Sequence, residues 1–138
     1  MNRRYVLDAC ALIACLTGES GGETVKAILN QAANYESTVR MSKLNLLEVY
    51  YHTLRAHGKE AADTMLGLVK KTPIEIIAEI SDEVLVEAGR LKAIYKLSLA
   101  DTIAAAEASI SRSSVVTADH HEFDALEGKE PVTFFWIR

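Results

Sequence analysis

Cysteine and proline are scarce in this chain, with two of each among 138 residues, and long apolar runs are missing altogether. Cys10 and Cys15 stand five apart in "DACALIACL", so on a helix they point to different faces. They lack CxxC spacing, which excludes a zinc site, and they read as small buried hydrophobes in a reducing compartment. No apolar stretch approaches the ~20 residues a membrane helix needs. The opening "MNRRYVLDACALIACL" has a basic start, but Asp8 interrupts its apolar part and a β-like "YVLD" comes first, so it is not expected to act as a signal peptide. A cytoplasmic protein is expected. An excess of positive charge is also lacking: 15 basic residues face 19 acidic ones, a net charge of −4. That argues against a general polyanion binder, though a divalent cation among clustered carboxylates would change the local balance. No repeat, low-complexity tract or linker divides the chain. A single domain spanning residues 1–138 is expected.

What is present is alternation. Short apolar runs at Arg4–Asp8, Ser37–Ser42, "IEIIAEI" from Ile74, "SSVVTAD" from Ser113 and "VTFFWI" from Val132 read as five strands. Between them lie helical patterns: "ALIACLTGE", "GGETVKAILNQAANY", "KLNLLEVYYHTLRAHG", "KEAADTMLGLVKKT", "SDEVLVEAGRLKAIY" with Ser81 as N-cap, and "LSLADTIAAAEASI". Apolar strands alternating with helices predict an α/β fold, a mainly parallel sheet of about five strands between two helical layers.

In such sheets the functional crevice lies beyond the carboxyl ends of the strands. Asp8 closes the first predicted strand and Asp119 the fourth. Asp101 sits in the first turn of the helix leading into the fourth, and Glu48 in the helix after the second. Three of these acids have an alternative role as helix caps or first-turn residues: Asp8 ahead of "ACALIACL", Asp101 three after Ser98, and Asp119 with Glu122. Glu48 is different. With Leu44, Leu47, Tyr51 and Leu54 or Arg55 it follows helical spacing, which puts it on an apolar stripe. A buried carboxylate needs a cation or takes up a proton, and Arg40, Lys43 or a metal would serve. Together the four acids favour Mg²⁺ or Mn²⁺, which prefer carboxylate oxygens and water.

The blocks "YVLDACALIACLTGE", "MSKLNLLEVYY", "LSLADTIAAAEA" and "VVTADHHEF" resemble, in order, those of PIN-domain ribonucleases, in particular the small VapC-type toxins of toxin–antitoxin pairs. The resemblance spans nearly the whole chain. It implies a PIN-like α/β/α sandwich and a Mg²⁺- or Mn²⁺-dependent endoribonuclease. It carries Asp8, Glu48, Asp101 and Asp119 over as catalytic and metal-ligating acids. Ser42 and Asn45 match small polar positions that orient the glutamate or a water, and Thr117 matches a hydroxyl beside the last acid. It further implies an RNA substrate, a small cognate antitoxin that inserts a helix and an arginine into the site, and a homodimer. In many relatives a second acid and a phenylalanine follow the last acid quickly. Here His120 and His121 precede Glu122 and Phe123, which leaves open whether Asp119 binds metal directly and whether Glu122 contributes. The adjacent histidines read as surface residues.

Substrate phosphates would draw on Arg40, Lys43, Arg55, Arg90, Lys92 and Lys96, which solvated helix faces explain equally well. Tyr50, Tyr51, Phe134 and Trp136 are apolar interface candidates that a core would equally absorb. Three other readings compete: an RNA-processing nuclease that is not a toxin, a catalytically silent interaction domain, and a receiver-like Mg²⁺-binding signalling module. The last wants paired acids after the first strand and an aspartate after the third, where this chain has a lone Asp8 and Ser81.

Overall fold

A computed structural model describes residues 2–138. Five strands, β1 (Arg3–Leu7), β2 (Ser37–Ser42), β3 (Glu75–Ile77), β4 (Ser114–Thr117) and β5 (Thr133–Trp136), form one sheet in the order β3-β2-β1-β4-β5. Every pairing is parallel. The chain moves outward from β1 through β2 to β3, then returns to the other side of β1. The topological switch point therefore falls between β1 and β4.

Side-chain alternation along the strands divides the core in two. Tyr5, Leu7, Val39, Met41 and Val116 face one layer, formed by α1 (Ala9–Thr17), α2 (Gly22–Ala33), α3 (Lys43–His57) and α4 (Lys59–Lys70). Val6 and Val115 face the other, which holds α5 (Asp82–Ile94), α6 (Leu99–Ser111) and the short α7 (His120–Phe123). This is the three-layer α/β/α sandwich the alternation predicted. Val6, Leu7, Val115 and Val116 are fully buried, each contributing about 1.5–3 kcal/mol of apolar transfer.

α6 is unusual in burying eight consecutive residues, Asp101 to Ala108. Four of them are alanines, whose small side chains let the helix sit close against the sheet, α5 and α3. Gly21 and Gly22 serve a similar closeness at the start of α2: a Cβ on Gly22 would stand 2.3 Å from the Ala14 carbonyl oxygen. Among the described residues no helix is long and apolar enough to cross a membrane.

Three local expectations are corrected. β3 covers Glu75–Ile77 and not the whole of "IEIIAEI", because its one partner β2 ends at Ser42 where α3 begins, leaving nothing to pair with beyond Ile77. Cys10 and Cys15 are free as expected, but half-buried and not enclosed. The stripe of α3 that faces the core is Asn45 and Val49 with Leu46, Tyr50 and Thr53, whereas Leu47, Tyr51 and Leu54 point outward. The spacing put the buried stripe on Leu44, Leu47, Glu48, Tyr51 and Leu54, and the sheet took a neighbouring one, which leaves Glu48 half-buried at its edge. Tyr50, Phe134 and Trp136 pack partly against the two cores, and only Tyr51 of the four interface candidates is exposed.

Candidate active site

The acids gather at the carboxyl ends of β1 and β4, with Asp101 from α6 in one helical layer and Glu48 from α3 in the other. Asp8 follows β1 directly and is the N-cap of α1: its Oδ1 accepts from the Ala11 N–H at 2.8 Å. Its Oδ2 accepts from the hydroxyl of Thr117, the last residue of β4. The same hydroxyl accepts from the Asp119 N–H at 2.9 Å. Thr117 therefore ties the two switch-point strands together and fixes the turn that carries the fourth acid. Asp119 in turn caps α7, with its Oδ1 accepting from the Glu122 N–H at 3.1 Å.

Asp101 is held by the N-cap of its own helix. Ser98 Oγ accepts from the Asp101 N–H at 3.2 Å and donates to Asp101 Oδ2 at 2.8 Å. Glu122, three after Asp119, accepts from the Ser98 N–H through Oε2 at 3.2 Å. It thus fastens α7 to the start of α6, a role that its sequence position did not reveal. Capping and clustering are compatible here, since each cap uses only part of a carboxylate's four lone-pair sites.

Ser42 ends β2 and caps α3, accepting from the Leu44 N–H at 3.1 Å. Asn45, in the next turn, is fully buried, and among the described residues neither its amide nitrogen nor its oxygen has a hydrogen-bond partner. A buried amide left in this state costs about 1–3 kcal/mol, so its retention points to an absent partner at the site. Glu48 lies half-buried one turn further on. Neither Arg40 nor Lys43 meets it: Arg40 bridges to Glu75 at 3.1 Å, and Lys43 faces solvent.

Electrostatics show the acids acting on one another. The Asp8 carboxyl is pushed up to about 7, first by burial, and further by the charges of Asp101 and Asp119; its hydrogen bonds to Thr117 and Ala11 work in the opposite direction. Asp101 is also pushed up to about 7, again first by burial, with Glu48, Glu122 and Asp119 adding to the shift against the Ser98 hydrogen bond. Glu48 is raised by burial, then by Asp119 and Glu122, and His52 offsets a little of this. Five carboxylates converge without a lysine or arginine among these perturbing charges.

The donor set is oxygen only, which suits a hard divalent cation. Among the described residues no three acidic, His or Cys groups stand in a ready-made coordination arrangement. Mg²⁺ commonly takes one or two carboxylates and completes its shell with water, so the uncompensated acids and the orphaned Asn45 amide still fit such an ion. His120 is not aimed at the site. Its ring stacks on Trp136 at 3.8 Å and contacts Asp124 and the Arg138 carbonyl oxygen. A cavity of about 860 Å³ between α1, α3 and α4, lined by Ile13, Leu16, His52, Met65 and Leu68 among others, has none of the clustered acids in its wall.

The PIN domain family model matches residues 5–129, a span that contains all four predicted acids. The chain belongs to the PIN domain family. No curated protein matches the sequence. Among solved structures, this PIN domain is similar to VapBC2 from Rickettsia felis bound to a promoter DNA fragment, at 18% identity and TM-score 0.72, covering 96% of this chain and 97% of that one. DNA-bound VapBC from Salmonella typhimurium gives 14% identity and TM-score 0.73 with full coverage of both chains. VapC20 from Mycobacterium tuberculosis, described as a toxin that cleaves the sarcin–ricin loop, gives 17% and 0.62, covering 88% and 91%. The PIN fold thus brings together Asp8, Asp101, Asp119 and Glu48, with Thr117 bonded to Asp8 and with Ser42 and Asn45 at the start of the helix that carries Glu48.

Proposed function

We propose that this PIN domain is a metal-dependent endoribonuclease, the toxin of a toxin–antitoxin pair. The observation that carries the reading is the convergence of Asp8, Asp101, Glu48 and Asp119 at the switch point, with two of the acids pushed up to about 7 and, among the described residues, no lysine or arginine among the charges acting on them. Asp8 and Asp101 would hold the ion, with Glu48 and Asp119 completing the acidic rim. When bound, Mg²⁺ or Mn²⁺ supplies activation of a water and neutralises charge developing on the leaving oxygen. The protein's part is positioning. Thr117 and the Ala11 N–H aim the Asp8 carboxylate, and Ser98 aims Asp101.

The toxin assignment draws on the toxin–antitoxin complexes whose fold this chain shares. An inhibitor of such a site has to bring positive charge, which an antitoxin arginine would do. A homodimer and a cytoplasmic location belong to the same reading. The test is cleavage of a structured RNA by purified protein in Mg²⁺ or Mn²⁺ against EDTA, beside Asp8→Asn and Asp101→Asn. Cutting that requires the ion and disappears in both variants is the expected result. Equal traces from wild type and variants would overturn it.

A further inference from the structure

At the opposite pole of the sheet the charge reverses. A cavity of about 570 Å³ opens beside the last turn of α6, lined by Arg4, Thr38, Arg40, Ile110, Ser111, Arg112 and Ser113. Three guanidiniums and three hydroxyls line it, and no carboxylate does. A second cavity, of about 590 Å³, shares Arg4 and Arg112 as its wall and adds Arg3.

The fold explains why they meet. Arg4 has the same strand parity as Val6, and Thr38 and Arg40 lie on the face of β2 opposite Val39 and Met41, so all three project toward the α6 layer. Arg112 is the C-cap of α6 and places its side chain at the same corner. It does so in the left-handed region, φ 55°, where glycine would be easier to accommodate.

Structural duties use only part of this charge. Arg40 is paired with Glu75 at 3.1 Å and also faces the buried Glu107, so its charge is largely met. Arg4 donates one hydrogen bond, 3.2 Å, to the Ser111 carbonyl oxygen at the end of α6, which leaves four of its five N–H groups. The Arg112 backbone N–H closes the end of α6 on the Ala108 and Ser109 carbonyl oxygens, but its guanidinium has no hydrogen-bond or ion-pair partner among the described residues. The Ser111 and Ser113 hydroxyls engage each other at 2.8 Å, whereas the Thr38 hydroxyl has no partner among the described residues. Two uncompensated guanidiniums and a free hydroxyl thus surround one concavity. Guanidinium forks match the paired oxygens of a phosphate, and a hydroxyl adds a further donor.

We propose that this arginine-lined cavity binds a phosphate group, remote from the acidic site. α6 joins the two poles, with Asp101 in its first turn and Arg112 at its end, about 16 Å apart along the axis. The two sources of that chemistry are free phosphate and the backbone of a bound RNA strand; the second rests on the nuclease reading above, the first does not.

The clean variant is Arg112→Gly, which removes the guanidinium and relieves the left-handed backbone. Wild type and variant, free of metal and RNA, are titrated with inorganic phosphate at constant ionic strength while arginine Nε–H resonances are followed by NMR. Saturable shifts at Arg4, Arg40 and Arg112 in wild type, with those at Arg4 and Arg40 lost or weakened at least tenfold in the variant, are expected. Shifts that chloride reproduces, or that survive Arg112→Gly unchanged, overturn the proposal. In a second arm, a labelled single-stranded RNA is bound to Asp8→Asn with and without Arg112→Gly across a salt series. A slope of log K against log salt lower by about 0.7 in the double variant assigns the site to one RNA phosphate. An unchanged slope, with phosphate still bound, overturns the RNA source and assigns the site to free phosphate. Because the first arm involves no cleavage, loss of the nuclease reading would leave it intact.

Discussion

Asp8→Asn separates the electrostatics of the acidic site from its catalysis. Burial gives the folded Asp8 carboxyl an affinity for protons, near pH 7, well above its ordinary value of 3.8. Below about pH 4 both folded and unfolded chains hold the proton and nothing is lost. Between 4 and 7 the unfolded chain alone ionises, so stability falls as pH rises, and above 7 the loss is constant. Over the two pH units from 5 to 7 this amounts to about 3 kcal/mol from Asp8. Asparagine removes that dependence and still caps α1 through its oxygen. Its amide meets the Thr117 hydroxyl, which already accepts from Asp119, so the hydroxyl proton loses its partner at a cost of about 1 kcal/mol that does not vary with pH. Urea unfolding in EDTA at pH 5 and pH 8 is the assay. The stability of Asp8→Asn relative to wild type should improve by about 3 kcal/mol between the two. Mn²⁺ at pH 8 should erase much of that advantage by stabilising wild type alone. A difference that stays flat from pH 5 to pH 8 would mean Asp8 ionises normally, and the buried-acid argument would be wrong.

Two further substitutions probe the residues around the acids. Thr117→Val preserves shape but strips Asp8 of a donor and Asp119 N–H of an acceptor; a loss of about 1–3 kcal/mol by urea unfolding is expected, together with reduced cleavage. Asn45→Leu replaces an unpartnered buried amide with a hydrocarbon of similar volume, and should raise stability by about 1–3 kcal/mol while lowering RNA cleavage. Destabilisation by Asn45→Leu would show that the amide already has a partner.

The sheet was legible because its strands are short β-branched runs whose polar ends coincide with strand ends, as "YVLD" and "VVTAD" do. The convergence of Asp8 and Asp119 followed from that, since both stand at carboxyl ends. The orientation of α3 was not legible: Leu47, Tyr51 and Leu54 make as good an apolar stripe as Leu46, Val49 and Tyr50, and only packing against the sheet decides between them. The ion pairing of Arg40 was hidden for a related reason, because its partner Glu75 lies on a strand 35 residues away that becomes a neighbour only through the sheet register. The role of Glu122 needed the contact between α7 and the start of α6, which no local pattern announces.

The placement of β1 in the middle of the sheet has a consequence for the newborn chain. Its neighbour β4 is synthesised last but one among the strands, and the Asp8–Thr117 contact joins residues 109 positions apart. At ribosomal rates of about 5–20 residues per second, the two are separated by about 5 to 20 seconds of synthesis. A nascent chain that has reached Arg112 already carries Asp8, Glu48 and Asp101, yet lacks the threonine that aims the first of them and the strand that closes the crevice. The crevice of a protein built this way is closed only when translation is nearly complete.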